Sequence, residues 1–126
     1  MSVPSREEFD EILEQAQKAR QAAAKEAFEK LPAPVRNFPD MAGACGGART
    51  VLKVDGRSAL GRFLATLTEN PLPNGGVGSG AGGFTLYFRE SIPYQHAVVN
   101  EAGEEAALEV IKTRLGIDGY VRTYLS

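Results

Sequence analysis

Residue types that often carry chemistry are scarce in this sequence. It has one cysteine, Cys45, and one histidine, His96. A single cysteine cannot form a disulfide within the chain, so the sequence is compatible with a reducing compartment. One cysteine and one histidine also fall short of the ligand set of a structural zinc site. We therefore predict no metal site and no cofactor.

A run of apolar residues long enough to cross a membrane is also absent, since a spanning helix needs about 20 of them. The first residues, Met1 to Glu8, lack the basic-then-apolar pattern of a signal peptide. We expect a cytoplasmic protein with no membrane partner. The formal net charge of −2 argues against a nucleic-acid binder that is basic throughout, but it leaves room for a local basic patch.

The length of 126 residues and the hydrophobic fraction of 43% suit a single modest core. Within it, one short segment is unusually rich in large apolar side chains. Between Phe84 and Glu90 the residues alternate, so Phe84, Leu86 and Phe88 fall on one face of a strand. Burial of each would stabilise the fold by about 1.5–3 kcal/mol. We predict that this segment is the central strand.

A long helix is predicted from residue 5 to residue 31. Ser5 and Glu8 have the spacing of a capping box, and the apolar residues recur every three or four positions. Such a helix either clamps the core of its own chain or serves as an oligomerisation arm. A mixed-sign polar face disfavours a membrane-surface helix. We assign residues 1–33 to a helical arm and 34–126 to a small α/β domain. The apolar residues assigned to the arm are Phe9, Ile12, Leu13, Ala16, Ala23 and Phe28.

The remaining pattern predicts two more helices and two more strands. Residues 49–55 and 120–125 alternate as strands, and residues 58–69 and 95–115 have helical spacing. In the last of these helices the expected apolar stripe consists of Val98, Val99, Ala102, Ala106, Val110 and Ile111. We expect an α/β fold, a two-layer sandwich with a three- to four-stranded sheet and both helices on one face. An antiparallel α+β arrangement is the alternative, because the glycine-rich residues 70–83 could contain a fourth strand. Otherwise we expect a mobile loop there.

Two glycine-rich motifs resemble functional signatures without their structural context. Residues 78–83 match G-x-G-x-x-G, but a dinucleotide-binding turn opens a helix and this one opens a strand. Cys45 stands in a G-x-C-x-G sequence like a nucleophile elbow, yet it precedes a strand. His96 is the sole histidine that could serve it as a base. Cys45 and His96 are therefore weak catalytic candidates.

The sheet face opposite Phe84, Leu86 and Phe88 is the predicted binding surface. If the strands pair in register, this face collects basic residues and tyrosines: Arg49, Lys53, Tyr87, Arg89, Tyr120, Arg122 and Tyr124. Such a face suits single-stranded nucleic acid, which binds positive fields and aromatic platforms. It equally suits a protein contact, because Tyr rings and Lys or Arg stems pack well while their polar tips stay satisfied.

From the sequence we expect a non-catalytic assembly subunit, in a homo-oligomer or a larger complex of the virion or scaffold kind. Its partner would be itself or another protein. A nucleic-acid-binding module using the sheet face is the alternative, and an enzyme dependent on Cys45 is the second alternative.

Overall fold

The computed structural model describes residues 3–37, 46–80 and 82–125. Eight elements follow one another: α1 (Arg6–Glu29), α2 (Ala33–Asn37), β1 (Gly46–Lys53), α3 (Ala59–Leu67), β2 (Gly75–Gly80), β3 (Gly83–Phe88), α4 (Ala97–Leu115) and β4 (Asp118–Leu125). None of the helices in these ranges is long and apolar enough to cross a membrane.

The four strands form one antiparallel sheet in the order β2-β3-β1-β4. From β1 onward the chain therefore runs β-α-β-β-α-β, the split or ferredoxin-like topology, with β1 and β3 in the centre. The predicted sheet of three to four strands behind a long N-terminal helix is confirmed, and it has four strands. Because every pairing is antiparallel, the fold is α+β, as the alternative had it.

Local signals explain where the long helices begin and end. The Ser5 hydroxyl accepts a hydrogen bond from the Glu8 amide at 3.1 Å, and the Glu8 carboxylate accepts one from the Ser5 amide at 3.2 Å. These two bonds complete the predicted capping box of α1. Helix α4 ends at Gly116, whose φ of 66° is the left-handed conformation that glycine adopts without penalty.

Helices α1, α3 and α4 cover one face of the sheet. Phe84 pairs with Leu52 across β3 and β1, and Leu86 pairs with Val77 of β2, so these four side chains share that inner face. They form one core with residues of the three helices, which include Phe9, Leu13, Leu64, Leu67, Leu108 and Ile111. A smaller cluster of Ala24, Ile92 and Val99 lies beside Phe28.

The glycine-rich segment is a strand, so the prediction of a mobile loop is wrong. β2 pairs with β3 along its whole length, from Gly75↔Phe88 to Gly80↔Gly83. Val77 is its one large side chain, and it lies in the core with 5% of its surface exposed. The G-x-G-x-x-G spacing therefore belongs to a β-hairpin.

The buried face of α4 also differs from the predicted one. Val98 was expected inside but is 56% exposed. Burial follows Val99, Ala107, Leu108 and Ile111 instead. The predicted stripe was thus rotated by about one residue around the helix, because Val98 and Val99 are both apolar and the pattern does not distinguish them.

Candidate binding face

Strand register places the predicted basic and aromatic residues on the outer face of the sheet. On β1, Arg49 lies opposite Arg122, and Val51 lies between Tyr120 on β4 and Thr85 on β3. Paired residues point to the same side, and side chains alternate along each strand. The outer face, which we call the open face, carries Arg49, Val51, Lys53, Thr85, Tyr87, Tyr120, Arg122 and Tyr124.

In the described part of the chain, helices α1, α3 and α4 pack on the inner face and leave this side uncovered. Its three tyrosines are therefore among the most exposed large hydrophobic residues, with 48% of Tyr87, 38% of Tyr120 and 47% of Tyr124 accessible. Val51 at the centre of the face is itself buried. The open face is thus a surface of aromatic rings and cations around a buried centre.

Cations lie close to all three rings. Arg49 Cζ is 5.6 Å from the ring centroid of Tyr87 and 5.9 Å from that of Tyr124. Lys53 Nζ is 5.7 Å from the ring centroid of Tyr120. At these distances a cation is attracted to the electron-rich face of the ring. The Arg49 guanidinium therefore lies close to two of the three rings.

A depression of about 310 Å³ lies at the centre of the open face. It is lined by Val51 and Thr85 together with four larger side chains, namely Arg49, Arg122, Tyr87 and Tyr124. That volume is at the lower end of ligand pockets, which measure about 300–1,000 Å³. Its lining combines aromatic surface with two guanidinium groups.

The charge of the open face is positive. Arg49 and Arg122 are directly opposite each other on β1 and β4, and none of the ion pairs among the described residues involves either of them. Like charges in this position destabilise a sheet. Asp118 is the acid at this end of β4, opposite Lys53. The exposed Arg89 follows the end of β3 and stands at the rim.

Most residues predicted for an oligomerisation arm are not accessible to another chain. Phe9, Leu13 and Ala16 have no exposed surface, and Ile12 has 3%, because they pack into the chain's own core. Ala23 and Phe28 are half-buried, and the Phe28 ring stacks on Tyr94 with centroids 4.1 Å apart. This burial in the chain's own core favours the alternative interpretation, an intramolecular clamp, while oligomerisation through the arm stays a prediction.

Polar bonds from α1 to the loops of the hairpin reinforce this clamp. The Asp10 carboxylate accepts hydrogen bonds from the Asn74 backbone amide at 2.8 Å and from the Asn74 side chain at 3.0 Å. The Gln17 side-chain oxygen accepts one from the Glu90 amide at 3.1 Å. Both ends of the β2-β3 hairpin that face α1 are thereby tied to it.

The two weak catalytic candidates do not form a described site. Cys45 lies outside the described residues. His96 precedes α4 as its N-cap residue, is 3% exposed, and packs edge-on against the Phe28 ring with centroids 5.6 Å apart. A histidine buried in this way is not accessible to a substrate in solution.

A buried ionic network escaped the sequence analysis. Arg20 of α1 and Glu104 of α4 form a salt bridge in which both side chains are almost completely buried. The Thr50 hydroxyl of β1 donates to the Glu104 carboxylate at 3.1 Å, and Arg20 donates to the Glu90 carbonyl at 2.5 Å. The signal was present, because Glu104 precedes Ala107, Leu108 and Ile111 at helical spacing.

This network borders a small cavity beside β1 and β3. β1 and β3 pair at Val51↔Thr85 and Leu52↔Phe84. Nearer Arg49, a cavity of about 100 Å³ opens beside the strands, and its lining includes Tyr87, Arg20 and Glu104. The buried ion pair thus lies directly behind the aromatic end of the open face.

Within the described ranges, no group of three or more His, Cys, Asp or Glu side chains is placed to hold a metal ion. The chain matches no protein-family model, no curated protein and no solved structure. Arguments about its function therefore rest on the open face, because a fold alone does not specify a function.

Proposed function

We propose that this protein is a cytoplasmic, non-catalytic module that binds single-stranded nucleic acid on its open face. The observation that supports the proposal is the uncovered four-stranded sheet, which presents three half-exposed tyrosines with Arg49 and Lys53 close to their rings.

Each component of the open face has a role in this kind of binding. Unstacked bases pack on aromatic rings and on guanidinium planes, and sheets of four strands bind two or three bases in this way. The Arg49–Arg122 pair suits a phosphate, because an anion between two like charges offsets their repulsion. A single strand fits better than a duplex, since bases paired in a duplex cannot stack on protein rings.

Titration of the protein with a labelled deoxythymidine oligomer of about ten nucleotides tests the proposal, because single-strand sites span roughly 4–16 nucleotides. We expect binding, measured by fluorescence anisotropy, together with quenching of tyrosine emission. Three of the four tyrosines are on the open face, and the chain has no tryptophan to mask them.

Variants connect that binding to the face. Tyr87→Ala and Tyr124→Ala should each weaken it by about 1–3 kcal/mol, the usual contribution of one base–ring stack. Lys53→Ala should also weaken it, whereas Lys25→Ala on the exposed side of α1 provides a charge-matched control. Failure of the wild type to bind any oligonucleotide at low salt would overturn the proposal.

Assembly through the same face is the second candidate function, with another copy of this chain or a different protein as the partner. Its support is the composition of the open face, since tyrosine and arginine are the residues enriched in protein interfaces. In that case Tyr87→Ala with Tyr124→Ala should lower the mass measured by light scattering. In that case the wild-type protein itself would bind no oligonucleotide.

A further inference from the structure

Two glycines on the open face lie directly beneath two of its tyrosine rings. Gly78 of β2 is the diagonal neighbour of Tyr87, whose own cross-strand partner is Gly76. A Cβ atom at Gly78 would lie 2.8 Å from Cε2 of the Tyr87 ring. Carbon atoms pack best at about 3.5–4.0 Å. The Tyr87 ring therefore occupies space that any other residue at position 78 would take.

The second ring repeats this arrangement on the same face, over strands β1 and β4. Gly47 of β1 lies opposite Tyr124 of β4. A Cβ atom at Gly47 would lie 2.7 Å from Cζ and 2.5 Å from the hydroxyl of Tyr124. The Tyr124 ring thus extends from the edge strand across β1. Both rings lie against glycine backbone, and the Arg49 guanidinium is within reach of each.

From these contacts we infer that Gly47 and Gly78 are positioning residues, which fix two stacking platforms for the bases of a single-stranded nucleic acid. The inference rests on the proposed function for its ligand, but the ring positions are a property of the free protein. A side chain at either position would lift the ring off the strand and away from the place where Arg49 can join it in contacting a base and its phosphate.

Gly78→Ala provides the sharpest test, because Gly80 supplies a matched control. Gly80 lies on the same face of the same strand, and an added Cβ there meets nothing within 4 Å. Gly78→Ala should weaken binding of the deoxythymidine oligomer at least about 5-fold, the lower end of what one stack contributes. Gly80→Ala should bind like the wild type.

A purely structural effect is distinguished by a double-mutant cycle. If Gly78 acts through the Tyr87 ring, Gly78→Ala should have no further effect on binding when Tyr87 is already alanine. An equal loss of binding in the wild-type and Tyr87→Ala backgrounds would overturn the inference. Binding by Gly78→Ala that equals that of the wild type would also overturn the inference.

The ring positions are measured separately, on the protein without ligand. Proton NMR should show the α-protons of Gly47 and Gly78 shifted by the ring currents of Tyr124 and Tyr87, and those shifts should vanish in the corresponding Tyr→Ala variants. Unshifted α-protons would overturn the positioning role. Normal shifts in a protein that binds no oligonucleotide would overturn the nucleic-acid ligand and the proposed function, leaving only a structural role for the glycines.

Discussion

The carboxylate of Glu104 joins three elements of the fold. It belongs to α4, pairs with Arg20 of α1 and accepts a hydrogen bond from the Thr50 hydroxyl on β1. With 1% of its surface exposed, it has no water to replace a lost partner. Removal of one member of such a pair leaves an uncompensated buried charge, which costs more than the pair itself contributes.

We therefore predict that Glu104→Ala lowers the free energy of unfolding by about 3–5 kcal/mol, the usual loss when a buried ion pair is broken. Urea denaturation followed by circular dichroism measures this. The neighbouring Glu105 is exposed, and Glu105→Ala should change the stability by no more than about 0.5 kcal/mol. Equal effects of the two changes would show that the ion pair contributes nothing.

At the scale of elements, α1 is part of the core rather than an addition to it. The substitution Phe9→Ala tests this, because Phe9 is fully buried and packs edge-on against Phe63 at 5.6 Å. We expect a loss of about 3–5 kcal/mol of stability and no change in the mass measured by light scattering. Phe28→Ala, at a half-buried position of the same helix, should cost less. A change in mass without a change in stability would restore the oligomerisation arm.

The β2 strand gives the second prediction at this scale. Replacement of residues 75–82 by a short turn would remove an edge strand and take Val77 out of the core. We expect a loss of at least about 2 kcal/mol, since burial of one valine alone contributes roughly 1.5–3 kcal/mol. If this segment were a mobile loop, shortening it would change the free energy of unfolding little, because the entropy of loop closure depends only weakly on loop length. An unchanged urea midpoint would therefore contradict the pairing of β2.

Elements with a strong local signal were predictable from the sequence. The capping box of α1, Gly116 after α4 and the alternation of Phe84, Leu86 and Phe88 each specify a structure through near neighbours. The open face was predictable too, because register follows once the inner residues are known. β2 was not, since glycine carries no pattern. The pairing of Arg20 with Glu104 joins residues 84 positions apart, which no local pattern contains.

On the scale of the whole molecule, the charge is distributed unevenly. Four of the 14 basic residues stand on the open face or at its rim, namely Arg49, Lys53, Arg89 and Arg122, against Asp118 among the 16 acids. The rest of the molecule is therefore acidic. A single strand bound as proposed would be attracted to the open face and repelled by the rest of the surface, which disfavours wrapping around the protein.

This distribution sets a limit on the salt dependence of binding. Each phosphate neutralised on a single strand contributes about −0.7 to the slope of log K against log salt. With four cations available, we predict a slope no steeper than about −3. Arg122→Gln should make the slope shallower by about 0.7, the contribution of one phosphate contact. Arg114→Gln on α4 should leave the slope unchanged. A much steeper slope would require phosphate contacts outside the open face.

The pairing of β1 with β4 has a consequence for synthesis on the ribosome. β1 is a central strand, yet its partner along all eight residues, from Gly46↔Leu125 to Lys53↔Asp118, is made more than sixty residues later. Helix α1 likewise waits for α4. Such long-range contacts form slowly, because the chain must be ordered over a long loop before they stabilise it. We therefore expect the apolar stripe of α1 and the inner face of β3 to stay incompletely covered in the nascent chain until α4 and residues 118–125 have been made.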